Sequence, residues 1–91
     1  MPIKHDIAHQ QFTITRAGHT AELAYTRPAD GLLDFTHTFV AEELRGQGVA
    51  EALARTGLAF AREHHLRVKT TCTFMAGFMQ RHHAEYADLL A

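Results

Sequence analysis

A single cysteine, Cys72, stands in the whole chain, and tryptophan is absent. One cysteine closes no intramolecular disulfide, so the fold must hold without the covalent staples of small secreted domains, and a reducing compartment is the expectation. Charge of one sign is lacking too: nine Lys+Arg face ten Asp+Glu, a formal net charge of -1. That balance offers no basic field to nucleic acid or anionic lipid, which excludes polyanion binding by bulk charge. No apolar run approaches the roughly 20 residues that span a bilayer, and the opening MPIKHDIAHQQ lacks the apolar stretch of a secretory signal. A soluble cytoplasmic protein with no membrane or nucleic-acid partner is therefore expected.

What is present suffices for one domain. The 91 residues are 46% hydrophobic and 21% charged, near the average for globular chains, so a single compact unit over 1–91 is expected. Histidine is the compositional oddity, with eight residues at 5, 9, 19, 37, 64, 65, 82 and 83. They are scattered, the adjacent pairs point to different sides of a helix, and no Cys/His spacing fits a zinc site. No bound metal is expected.

The first 40 residues carry the punctuation of an antiparallel meander, with Gly18-His19 and Pro28-Ala29-Asp30-Gly31 as turn signals between β-rich runs. Strands are expected over about 9–16, 20–27 and 32–40. In the third, simple alternation places Leu33, Phe35, His37 and Phe39 on one side and Asp34, Thr36 and Thr38 on the other, so His37 is expected on the apolar face. From Gly48 the period becomes helical, because Val49/Ala50, Leu53/Ala54, Gly57/Leu58 and Ala61 recur every turn while Glu51, Arg55, Arg62 and Glu63 fall on the outer side. Gly57 is unfavourable inside a helix by about 1 kcal/mol relative to Ala, which close packing on a sheet would explain. After His64 the run Leu66 to Cys72 reads as a strand, and strand, helix, strand implies a right-handed crossover joining parallel strands. Phe74 to Ala91 reads as one or two short helices. The expected class is thus α/β (α+β), a mixed sheet with an N-terminal meander, one βαβ crossover and C-terminal helices.

The junction between the third strand and the long helix holds the chemistry. Backbone N–H groups at a glycine-containing helix start, backed by the helix dipole, suit a phosphate or pyrophosphate, and Arg45 adds a full charge. Glycines there admit backbone angles closed to other residues and let an anion approach the amides. The bland alternative is a strand-to-helix loop with two turn glycines. Other phosphate motifs fit worse: Gly48 is followed by Val49 where a Walker A loop needs Lys, and a dinucleotide fingerprint would need a third small residue where Glu51 stands.

The segment Arg45-Gly46-Gln47-Gly48-Val49-Ala50 resembles the acetyl-CoA signature of the GNAT superfamily of N-acetyltransferases, Arg/Gln-x-x-Gly-x-Gly/Ala, in full. His37-Thr38-Phe39-Val40 before it, Cys72-Thr73-Phe74 after it and the tail His83-Ala84-Glu85-Tyr86-Ala87-Asp88-Leu89 are similar to segments of the family's short members. The resemblance implies acetyl-CoA as cofactor, with the amides of Arg45, Gly46, Gln47, Gly48, Val49 and Ala50 around its pyrophosphate. It further implies that the pantetheine arm runs beside Phe39 and Val40, and that the acetyl group passes to a primary amine on a small molecule or a protein lysine. The N-terminal helices that build much of the acceptor pocket in longer members have no counterpart in this sequence, which leaves the acceptor to a partner, a homodimer mate or an open groove.

Two routes are open for the transfer. The amine attacks the thioester directly, with His37 as the candidate base, or Cys72 first takes the acetyl group. An ordinary thiol is mostly protonated at neutral pH, so Cys72 would need an activating neighbour, and His37 near the shared end of the two parallel strands is the candidate. The plainer roles are a small buried apolar residue for Cys72, a hydrogen-bonded structural histidine for His37 and packing for Tyr86. A non-catalytic acyl-CoA-binding regulatory module and a protein-interaction module stay open beside the enzyme.

Overall fold

The computed structural model describes residues 2–91. Five strands form one sheet in the order of the chain: β1 (Lys4–Asp6), β2 (Gln11–Arg16), β3 (His19–Ala29), β4 (Leu32–Val40) and β5 (Arg67–Thr70). The first four are antiparallel, and β5 runs parallel to β4 after the crossover helix α1 (Val49–Glu63). The meander, the crossover and the mixed sheet expected from the pattern are all present.

The turns are tighter than the sequence punctuation suggests. Ala17-Gly18, with φ of 52° and 79°, joins β2 to β3 in the two-residue form whose twist matches the strands. Asp30-Gly31 joins β3 to β4, and Pro28 lies inside β3 where the pairing slips between Thr26 and Ala29, a bulge that tolerates its missing N–H.

One face of the sheet is covered by helices. Phe12, Ile14, Ala21, Leu23, Tyr25, Leu33, Phe35 and Val68 project from the strands into a core completed by Val49, Leu53, Leu58 and Ala61 of α1. Gly57 is where the two layers meet: a Cβ there would come within 2.9 Å of Phe35 and 3.0 Å of Leu23, so even alanine would require these side chains or the helix to shift. The opposite face presents exposed Thr15, Thr20, Thr26, His37, Phe39 and Lys69.

The tail folds as α2 (Thr73–Arg81), α3 (His83–Tyr86) and a 3-10 turn over Ala87–Leu89. Met75, Phe78, Met79, Tyr86 and Leu89 bury against the core. Arg62, expected on the free outer side of the helix, instead anchors this tail, donating to the Asp88 carboxylate and, at 2.7 Å, to Glu85 O. Arg55 donates to Glu85 Oε2 and Tyr86 Oη, each at 3.1 Å, while Glu51 stands 4.0 Å away on its own helix. The hydrogen bond from Arg62 is the main reason the Asp88 carboxyl is held below the ordinary carboxylate range. At the outer edge of β5, Ala91 N donates to Val68 O at 3.0 Å.

β1 was not marked by any alternation. Its inward side chain, His5, stacks on Phe12 with ring centroids 4.1 Å apart and shares a 2.6 Å hydrogen bond with Tyr25 Oη. Burial first, and then the neighbouring charge of His64, pushes the His5 imidazole below its ordinary pKa of 6.5.

Candidate active site

Everything at this site follows from one irregularity in β4. Ala24 of β3 faces His37, but Tyr25 faces Phe35, so Thr36 is an extra residue in β4 and the alternation changes phase there. Its hydroxyl donates to Ala24 O at 3.4 Å. Thr38 and Val40 therefore share the helix-covered side with their partners Leu23 and Ala21, while His37 and Phe39 turn to the open side. The expectation of His37 on the apolar face is corrected: the residue is exposed, and Phe39 is 48% exposed.

At the same level β4 loses its second neighbour. Pairing with β5 extends only from Leu32↔Arg67 to Phe35↔Thr70. The chain then turns away, fixed by the buried Asp34 carboxylate, which accepts Thr71 N at 3.1 Å and Thr71 Oγ1 at 2.8 Å. Cys72 N still reaches Phe35 O at 2.8 Å, and α2 begins at the next residue. Beyond this point β4 has no strand partner on its β5 side among the described residues.

Cys72 caps α2 at this opening, 8% exposed, with its Sγ 3.2 Å from Thr38 Oγ1. The thiol's hydrogen-bond partner is thus a threonine. No Cys72/His37 pair forms, because the bulge sends His37 to the other face while Thr38 takes the inner position. Unbroken alternation assigns Thr38 to the polar side, so its contact with Cys72 has no signal in the sequence.

The glycine loop follows β4 through a 3-10 turn over Glu42–Leu44. Gly46 and Gly48 have φ of 78° and 74°, angles that an L side chain rarely adopts, and the space above both is open. The first hydrogen bond of α1 runs from Ala52 N to Gly48 O, 3.0 Å, so the N–H groups of Val49, Ala50 and Glu51 have no partner inside the helix. A shallow cavity of about 170 Å³ lies at this helix start, lined by Val40, Arg45, Gly46, Gly48, Val49 and Ala50 among others. Six of the eight residues expected around the cofactor are thereby brought together. The Gln47 side chain turns instead to Arg16 and Glu43, and Phe39 lies on the open face.

A larger depression of about 590 Å³ lies between α1 and the tail, beside Arg55, Arg62, Glu85 and Tyr86. Its guanidinium groups are engaged by Glu85 and Asp88, and it holds neither the thiol nor the glycine loop. No cluster of metal-ligating side chains occurs among the described residues, and no helix there is long and apolar enough to cross a membrane.

A mixed sheet whose parallel strands cease to pair at one end, crossed by a helix that opens on a two-glycine loop, is the GNAT architecture. The family model for GCN5-related N-acetyl-transferases matches residues 11–89, and the chain belongs to that family. Its relatives include Protein NATD1 of Bos taurus, 34% identical over 80 residues that cover 86% of this chain and 71% of that protein. Protein NATD1 of Danio rerio is 30% identical over 89 residues, 94% of this chain and 81% of the relative. Among solved structures, a GCN5-like protein from Staphylococcus aureus superposes with a TM-score of 0.75 at 29% identity, covering 99% of this chain and 87% of its own. Ard1 from Thermoplasma volcanium shares the fold, with a TM-score of 0.60 at 22% identity over 67% of this chain and 43% of that one.

Proposed function

We propose that this chain is an acetyl-CoA-dependent N-acetyltransferase that moves an acetyl group to a primary amine. The observation that carries the reading is the junction of two features. The Arg45–Ala50 loop offers free amides and the N-terminal dipole of a 15-residue helix to a pyrophosphate. Beyond Phe35 and Thr70, β4 and β5 no longer pair, and Cys72 lies at that end of the sheet beside Thr38. Family membership supports the chemistry, since these enzymes act on amine acceptors.

The contact of Cys72 with Thr38 favours a covalent route within this reading. The thiol sulfur attacks the thioester carbonyl, its proton passes to the departing CoA sulfur, and the acetyl group rests on Cys72. The acceptor nitrogen then attacks the new thioester, loses a proton, and restores the thiol. Thr38 Oγ1 is placed to donate to sulfur while negative charge gathers there. His37, exposed on the opposite face of the sheet from Cys72, is assigned to the direct route, as the candidate base for an acceptor amine on that face.

Thermal unfolding against rising acetyl-CoA, with adenosine as control, tests the cofactor. At a hundredfold excess over its dissociation constant the ligand adds about 2.7 kcal/mol, which raises the melting temperature by roughly 10 to 20 °C for a domain of this size. Gly48→Glu abolishes the shift, because it sets a carboxylate against the anion site and forces φ of 74° on a side chain. Intact mass after incubation with acetyl-CoA tests the route: one acetyl group appears on the wild type and none on Cys72→Ala. Turnover undiminished in Cys72→Ala would leave direct transfer, and a shift without turnover on a broad amine panel would leave a binding module.

A further inference from the structure

The loop that is to hold a pyrophosphate has the wrong charge of its own. Between residues 42 and 51, Glu42, Glu43 and Glu51 stand against Arg45 alone, a balance that opposes anion binding. A compensating charge comes from the β2–β3 hairpin. Arg16, the last residue of β2, donates from Nη1 to Gln47 Oε1 at 2.8 Å, and Gln47 is itself held by Nε2 donating to Glu43 O at 3.0 Å. Opposite Arg16 in the hairpin, His19 brings Nδ1 to 3.5 Å from Glu43 Oε1. The backbone joins the two units as well, with Ala41 N donating to Thr20 O at 3.3 Å.

Such a contact fixes the guanidinium without exhausting it. A guanidinium carries five N–H donors in a planar fork suited to phosphate oxygens, and among the described residues one donor of Arg16 is engaged, on Gln47. Gln47 is the signature residue whose side chain points out of the cavity, so the interaction places a full positive charge at the loop's rim and leaves the amides clear.

We infer that Arg16 is a cofactor-binding residue: it remains on Gln47 through Nη1 and turns its free N–H edge to the phosphates of CoA held at Arg45–Ala50. The inference rests on the reading of that loop as a CoA site. It makes the β2–β3 hairpin, far upstream of the signature, a working part of the pocket.

Equilibrium binding of CoA over a series of ionic strengths tests it, with wild type, Arg16→Ala, Arg16→Gln and Arg16→Lys. Arg16→Ala and Arg16→Gln are expected to weaken binding about tenfold at low salt, the scale of one charge-assisted contact, with a shallower salt dependence than wild type. Arg16→Lys recovers part of the loss, and the melting temperatures without ligand stay together. Wild-type affinity in Arg16→Gln, which drops the charge and keeps a polar N–H donor, would overturn the inference, as would a loss of the same factor at every salt concentration. Failure of the wild type itself to bind CoA would bring down the reading of the loop and this inference with it.

Discussion

The two halves of β4 differ less in composition than in what surrounds them. From Leu32 to Phe35 the strand is paired on both sides, and Leu33, Asp34 and Phe35 are buried. From His37 to Val40 it keeps only β3, and His37 and Phe39 are exposed. One extra residue, Thr36, separates a segment paired on both sides from one that keeps a single strand neighbour. Rigidity and access are thus divided along a single strand, with the rigid half holding the open half in place.

The largest expected effect would break that division if it failed. Phe35→Ala empties the contact under Gly57 and is expected to cost about 3–5 kcal/mol in urea unfolding, whereas Phe39→Ala stays within roughly 0.5 kcal/mol. Equal losses from the two would mean that the open half is structural after all. A smaller effect is expected at the far edge of the sheet, where β1 is held by His5. Burial disfavours the imidazolium, so the folded pKa lies below 6.5. Above that value both states are neutral and His5 contributes no pH dependence. As pH falls through it, the unfolded chain binds the proton first, and stability declines until the folded state protonates too. His5→Phe should flatten the fall in melting temperature between neutral and mildly acidic buffer, and an unchanged slope would place the sensitivity in another histidine.

Much of this arrangement was legible in the residues. The helix of Val49 to Glu63 carries its period openly, and the glycine loop is a local motif whose parts lie within six consecutive positions, Arg45 to Ala50. What was not legible depends on pairing across the sheet. Leu33 to Phe39 alternates without a break in sequence, so nothing local shows that Thr36 is an insertion relative to β3, and the error carried His37 to the wrong face and hid Thr38. β1 has three residues and one inward side chain, too short for any period to register. Arg16 and Gln47 are 31 residues apart and meet only because the hairpin folds back over the loop. Arg62 looked free because its acidic partner lies in the tail.

Because the strands lie in the sheet in the order in which they occur in the chain, the fold can assemble almost wholly by zipping neighbours together. Closing a short loop costs little entropy, and the turns at Ala17-Gly18 and Asp30-Gly31 bring β2, β3 and β4 into register one after another. Only β5 must wait for a longer excursion through α1 before it can join. The Arg45–Ala50 loop begins that excursion, and the contacts of Cys72 with Phe35 and Thr38 form only once the chain returns through β5. A ligand on that loop that binds only the native state would favour completed chains over every partly zipped one.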